Sequence, residues 1–149
     1  MKNLSILAIV LGMLGQPMSA HAGDDLDQKH ADVTMNVGLF AKISGLDDFA
    51  LSPVAKDGNA GAIYRGSDTY RLESNGHVRV SLSGSALKNG ADEVVTVYEL
   101  DNSGPHFDTA VGEKHNSEHI VSAEAELGDI SEQIAGAYKS RITLTVSAL

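Results

Sequence analysis

Apolar and polar residues alternate with a period of two along most of the chain after residue 32. Such alternation is typical of half-buried strands, because successive side chains of a strand point to opposite faces of a sheet. It predicts strands over residues 33–43, 46–51, 62–64, 69–73, 78–83, 94–100, 119–127 and 138–148. Seven or eight short strands between turn signals predict a single antiparallel β-sandwich, all-β, with Ig-like or jelly-roll-like Greek-key topology. A closed barrel is the alternative.

Residues 69–83 carry the clearest local signal, two alternating apolar runs on either side of a Ser-Asn-Gly sequence at 74–76. A two-residue Asn-Gly loop would put the two apolar sets on opposite faces of a hairpin. A three-residue loop instead pairs Leu72 with Val78 and keeps one apolar face. It also places Gly76 at the left-handed position of a bulge. We therefore expect a hairpin with a three-residue loop.

The second half of the chain contains two further loop signals. Asn89-Gly90 predicts a turn. Residues 101–118 are polar and contain a proline and two glycines, which predicts a long loop. Loops longer than about 12–15 residues are uncommon in compact domains and are often functional. The strand predicted after this loop, at 119–127, is rich in Glu and Ala, a composition that would also suit a helix.

The first 22 residues predict a secretory signal peptide. Lys2 precedes an apolar run at 4–14, and Ala20-His21-Ala22 has the small-x-small pattern of a cleavage site. The apolar run is shorter than the roughly 20 residues that span a bilayer, and no later run approaches that length. We expect export to the periplasm, cell surface or extracellular space. The expected parts are the signal peptide at 1–22, a flexible acidic arm at 23–31 and the β-sandwich domain at 32–149.

The composition argues against some classes of binding partner. The chain has 149 residues, a net charge of −9 and no cysteine. The acidic balance argues against binding to nucleic acid, whose phosphates require a basic surface. Without disulfides, stability has to come from core packing and the hydrogen bonds of the sheets. Tryptophan is absent and tyrosine is scarce, which weakens the case for a sugar-stacking site.

The long polar loop holds the candidate metal ligands. His115-Asn116-Ser117-Glu118-His119 matches the H-x-x-E-H motif of zinc proteases, but that chemistry needs the motif on a helix and the pattern here leads into a strand. Imidazoles and carboxylates suit Zn²⁺ or Cu²⁺. The candidate metal ligands are His106, His115, His119 and Glu118, with a solvated polar loop as the alternative. No catalytic or cofactor-binding residues are predicted.

The sequence near the C-terminus resembles a known family signature. Ala135-Gly136-Ala137-Tyr138, followed by a Thr-rich final strand at 142–146, is similar to the end of exported bacterial β-sandwich surface proteins. These are the spore coat protein U-like domains and the fimbrial subunits of chaperone–usher pili. Residues 43–49 also look similar to early strands of such domains. The resemblance implies that the Tyr138 hydroxyl satisfies backbone groups at a corner, and that residues 33–43 would be the donor in any strand exchange.

These features together predict an exported, non-catalytic bacterial protein with a structural role at the cell surface or in an extracellular matrix. It would be a fimbria-like or self-assembling subunit whose partners are itself or other surface-protein subunits. The alternative is a periplasmic or extracellular binding module for a metal ion, through residues 106–119, or for a glycan. A small hydrolase is a third class, without a catalytic constellation to support it.

Overall fold

The computed structural model describes residues 28–55 and 59–149, without the side chain of Ile130. The predicted signal peptide, and residues 23–27 of the predicted acidic arm, lie outside the described residues. The chain divides into two units, Met1–Asn36 and Val37–Leu149. In the first unit, residues 28–36 are exposed and have no regular secondary structure.

The second unit is built from β-strands. The strands are β1 (Ala41–Ser44), β2 (Ser52–Pro53), β3 (Ile63–Ser74), β4 (Val78–Gly84), β5 (Leu87–Asn89), β6 (Asp92–Val94), β7 (Thr96–Leu100), β8 (His106–Asp108), β9 (His115–Glu126) and β10 (Ile142–Ala148). A single turn of 3-10 helix, Ile130–Glu132, lies between β9 and β10. Within the described ranges, no helix has the length and apolar character needed to cross a membrane.

Two antiparallel sheets form a sandwich. The first sheet has the order β1-β3-β9-β7, with β2 paired to the other end of β3, and the second sheet has the order β10-β4-β8. Strands β5 and β6 form a separate hairpin. The prediction of an all-β antiparallel sandwich is confirmed. The described residues contain ten strands, compared with the predicted seven or eight, because several predicted strands and loops are divided into shorter pieces.

The hydrophobic core lies between the two sheets. The first sheet contributes Tyr70, Leu72, Leu100 and Val121, and the second contributes Val78, Val80 and Leu82. Each side chain comes from an apolar position of a period-two pattern, so the pleat of each strand turns it inward. Burying one such side chain is worth about 1.5–3 kcal/mol. Because the chain has no cysteine, core packing stabilises the fold without the help of disulfides.

The predicted hairpin at residues 69–83 is wrong. β3 ends at Ser74 in the first sheet and β4 begins at Val78 in the second sheet, so the loop crosses from one sheet to the other. Leu72 and Val78 therefore do not pair. The backbone of Gly76 is also not left-handed. Alternating apolar residues look the same in sequence whether two strands lie side by side or face each other across a core.

Asn75, within this crossover, binds the chain that leads into β1. Its Oδ1 accepts the N–H of Phe40 at 2.6 Å, and its Nδ2 donates to the carbonyl oxygen of Gly38 at 2.8 Å. Its own N–H donates to the Phe40 carbonyl oxygen at 3.1 Å. The asparagine thus joins two segments far apart in sequence instead of forming a tight hairpin turn.

The strand predicted over residues 33–43 is wrong for most of its length. Only residues 41–43 belong to a strand, β1. Residues 33–40 have no strand assignment, and Val33, Met35 and Val37 are 94%, 83% and 71% exposed. Alternation makes a strand possible, but a strand also needs a partner for its backbone groups. Gly38 and Phe40 bond to Asn75, but residues 33–40 have no neighbouring strand among the described residues.

Other predicted boundaries also shift. No strand forms over residues 46–51, and β2 follows at Ser52–Pro53. The predicted strand 94–100 is interrupted at Val95, which separates β6 from β7. The predicted loop 101–118 contains β8 and the first four residues of β9. The strand predicted at 119–127 is confirmed, but it begins earlier, at His115.

The turn at Asn89-Gly90 is confirmed, because it joins β5 to β6 and Gly90 has a φ of 65°. The final strand begins at Ile142, four residues later than predicted. Before it, the Tyr138 hydroxyl donates to the Ile134 carbonyl oxygen at 3.0 Å. That contact agrees with the implied role of Tyr138 in satisfying backbone groups.

Candidate functional site

The pleat of β9 determines where the predicted ligands of this strand point. His115 and His119 lie on the inner face, in line with the buried Val121. Glu118 directly precedes His119 in the strand, so its side chain points to the outer face, where it is exposed. It is paired with Arg71 of β3. The strand thus brings the two histidines together and directs Glu118 away from them.

His106 belongs to the other sheet. It lies in β8, which pairs with β4, and its strand partner is Ser81. The next residue, Phe107, packs against the core, so His106 points outward and is exposed. The structure therefore separates His106 from the two histidines of β9, and the four predicted ligands do not share one site.

His115 and His119 face each other between the sheets. Their Nε2 atoms are 2.8 Å apart, and their ring centroids are 5.0 Å apart. His119 is only 9% exposed. Its ring stacks on Phe107 at a centroid distance of 4.5 Å and on Tyr70 at 5.5 Å. An aromatic enclosure of this kind fixes the orientation of the imidazole.

Asp101 completes a cluster with His115 and His119, and it is not one of the four candidate metal ligands named above. Its Oδ2 accepts a hydrogen bond from Nδ1 of His119 at 2.7 Å, and its Oδ1 accepts the N–H of Ile120 at 2.8 Å. Its backbone N–H also donates to the Ile120 carbonyl oxygen at 2.9 Å. The carboxylate therefore fixes both the side chain of His119 and the backbone next to it.

A strained turn presents this carboxylate. Asp101 and Asn102 have φ angles of 49° and 57°, in the left-handed region that side-chain-bearing residues rarely adopt. Asp and Asn tolerate this region better than other residues do. The Ser103 N–H closes the turn on the Leu100 carbonyl oxygen at 2.9 Å. The signal in the sequence was the Asp-Asn-Ser-Gly stretch that directly follows a strong strand.

Burial and neighbouring charges act on the pKa of His115. Burial lowers the pKa of His115, and the neighbouring His119 lowers it further, while the charge of Asp101 acts in the opposite direction. Because Asp101 accepts the Nδ1–H of His119, the Nε2 atom of the neutral ring carries a lone pair. That lone pair is directed at His115.

Tyr70 is the remaining polar group of the cluster. Its hydroxyl is buried and has no hydrogen-bond partner among the described residues. Burial raises the pKa of Tyr70, and the negative charge of Asp101 raises it further, so the phenol stays protonated. A neutral phenol can donate one hydrogen bond and accept others.

The cluster lacks the parts of a hydrolytic site. An Asp–His pair can orient a general base, but the Nε2 atom of His119 is engaged by His115. In the described ranges, no serine or threonine hydroxyl hydrogen-bonds to either imidazole. Nor do three His, Cys, Asp or Glu side chains converge closely enough there to hold a metal ion. The arrangement offers two imidazole ligands and one carboxylate that orients His119.

A second candidate surface is the outer edge of the second sheet. Among the described strands β10 pairs with β4 alone, so the backbone groups on its other side lack a strand partner. Its inward side chains, Ile142, Leu144 and Val146, are only half-buried. A sheet edge with unpaired backbone groups and apolar side chains can accept a further strand.

No protein-family model matches the chain, and neither does any curated protein.

Proposed function

We propose that this chain is an exported, non-catalytic structural subunit of a cell surface or extracellular matrix that assembles with copies of itself by strand addition. One observation carries the proposal. Residues 33–39 alternate apolar and polar side chains, yet the apolar ones are exposed and the segment has no strand partner in the described chain. Contiguous exposed apolar residues usually mark a surface that binds a partner.

The open edge of β10 complements this segment. Residues 33–39 and Ile142–Ala148 are both seven residues long, so the backbone of one can pair along the whole of the other. In such a pairing, the alternating apolar side chains of the segment would cover the half-buried Ile142, Leu144 and Val146. Strand addition of this kind takes its affinity from main-chain hydrogen bonds and its specificity from the alternate side chains.

Four further features support a structural role. The predicted signal peptide implies export. Among the described residues, no serine or threonine hydroxyl is hydrogen-bonded to His115 or His119. The net charge of −9 favours solubility of the subunit before assembly. The resemblance of the stretch around Tyr138 to fimbrial and spore coat protein U-like domains points in the same direction.

The experiment compares the assembly of two matched variants of residues 23–149, the chain that cleavage after Ala22 would leave. The test variant, V33S/V37S, removes two apolar side chains, and the control, T34S/N36S, changes the polar positions between them. Light scattering coupled to size-exclusion chromatography should show large assemblies for the parent and the control, and monomers for V33S/V37S. A parent that stays monomeric at high concentration would refute the proposal, as would equal assembly of V33S/V37S.

A further inference from the structure

We infer that His115 and His119 form a binding site for a first-row divalent cation, with Cu²⁺ bound more tightly than Zn²⁺. The site consists of the two Nε2 atoms, with water completing the coordination. It does not depend on the proposed assembly, because it lies between the sheets and uses no residue of the β10 edge. The expected order of the metals follows the general affinity series of nitrogen ligands, in which Cu²⁺ ranks highest.

The positions of the two ligand atoms carry the inference. The Nε2 atoms face each other at 2.8 Å. A tetrahedral ion with metal–nitrogen bonds of about 2.0–2.1 Å needs its two nitrogen ligands about 3.3 Å apart. The Nε2 atoms therefore have to move apart by about half an ångström, and one ring has to turn so that both lone pairs point at the ion instead of at each other. His115 can supply that movement, because it is the first residue of β9 and is half-buried, whereas His119 is enclosed.

Asp101 gives the site its second independent feature. Histidines that bind metals commonly donate their other ring N–H to a carboxylate, which fixes the tautomer and raises the basicity of the ligand. The 2.7 Å contact between Nδ1 of His119 and Oδ2 of Asp101 is this arrangement. The same carboxylate is anchored by the N–H of Ile120, so His119 is held ready for a metal without further rearrangement.

The surroundings suit a hydrated ion. The hydroxyl of Tyr70, whose ring stacks on His119, is buried and has no partner among the described groups. A water molecule bound to the metal would offer this hydroxyl a hydrogen bond. Phe107 stacks on the ring of the buried His119 at a centroid distance of 4.5 Å. These residues together enclose a pair of nitrogen ligands within an apolar frame.

The test titrates untagged residues 23–149 with Cu²⁺ and with Zn²⁺ by calorimetry, and records the electron paramagnetic resonance spectrum of the Cu²⁺ complex. His115→Gln should weaken binding at least tenfold and remove one of two nitrogen couplings. His106→Gln, the matched control on the outer face of the second sheet, should leave both unchanged. Asp101→Asn should weaken binding by about 10–100-fold while circular dichroism shows the fold retained.

The inference is overturned if His115→Gln binds as the parent does, or if His106→Gln weakens binding equally. Absence of binding at millimolar metal would overturn it as well. If Asp101→Asn binds with the affinity of the parent, the positioning role of the carboxylate is wrong. Because the assembly variants V33S/V37S and T34S/N36S keep both histidines, both should bind metal like the parent.

Discussion

Asp101 and His119, which lie 18 residues apart in sequence, are joined at 2.7 Å between Oδ2 and Nδ1. The contact links the turn after β7 to the middle of β9, the strand that pairs with β7 in the first sheet. The carboxylate reaches the imidazole because two successive residues, Asp101 and Asn102, adopt left-handed backbone. The left-handed turn at Asp101 and Asn102 therefore helps to fix the orientation of the His119 imidazole.

The strained turn predicts a measurable loss of stability on substitution. Asn102→Ala should destabilise the fold by about 1 kcal/mol, because alanine tolerates positive φ less well than asparagine. Chemical denaturation, with the slope of the transition unchanged, measures this loss. Asn36→Ala, in an exposed segment without regular structure, is the control and should match the parent. Equal midpoints for Asn102→Ala and the parent would contradict the assigned strain.

Gly66 predicts a second effect, this time on packing. A Cβ atom built at this position would clash with the carbonyl oxygen of Ala50 and lie 2.9 Å from Cδ2 of Leu51. Gly66→Ala should therefore lower the melting temperature by displacing the backbone of residues 46–51 from β3. Gly38→Ala is the matched control, because a Cβ there meets nothing within 4 Å. Unchanged melting of Gly66→Ala would show that the two segments do not approach closely.

A substitution in the hydrophobic core should reduce the free energy of unfolding more than Asn102→Ala does. Leu72 is fully buried between the sheets, so Leu72→Ala should reduce the free energy of unfolding by about 2–5 kcal/mol. Val111→Ala, at an exposed position, should change it by less than about 0.5 kcal/mol. Urea denaturation of both variants measures the contrast. A small loss for Leu72→Ala would mean that the two sheets do not bury this side chain.

The ion pair between β4 and β8 predicts a pH-dependent contribution. Two hydrogen bonds of 2.7 Å from Arg79 hold the pKa of the Asp108 carboxyl below its usual value. The pair therefore stabilises the fold above the pKa of the unfolded carboxyl, about 3.9. The contribution is lost as the pH falls through the lower pKa of the folded state.

The variant Asp108→Asn tests the direction of this pH dependence. Its melting temperature should fall below that of the parent at pH 7, and the difference should shrink as the pH is lowered below about 3.9. The difference should be small, because both side chains are exposed. Glu113→Gln, in an exposed loop, should match the parent at pH 7. A gap between Asp108→Asn and the parent that widens on acidification would contradict the assigned direction.

The strands themselves were largely predictable, but their partners were not. The alternation in β4, β9 and β10 placed Val80, Val121 and Leu144 on inward faces, because the period of two is a local property of the strand. Sheet membership depends on contacts between distant segments. For that reason the crossover at residues 74–76 resembled a hairpin, and residues 33–40 resembled a paired strand.

The histidine cluster was likewise predictable only where it depends on local sequence. His115 and His119 were identified from their residue type and shared loop, and the structure brings them together. His106 was grouped with them by nearness in sequence, but its strand belongs to the other sheet. Once β9 is known to begin at His115, alternation alone places Glu118 on the opposite face. Asp101 reaches the cluster only through the pairing of β7 with β9, which no local pattern encodes.

The most direct test of strand addition uses the absence of cysteine from the chain, which makes any introduced disulfide unambiguous. Asn36→Cys is mixed in turn with Thr143→Cys, Thr145→Cys and Ser147→Cys, and oxidised dimers are measured by mass spectrometry. Strand addition predicts efficient heterodimers with one or two neighbouring positions of β10, and background levels with the exposed-loop control Lys114→Cys. Cross-linking to β10 at the level of that control would show that residues 33–39 do not pair with this strand.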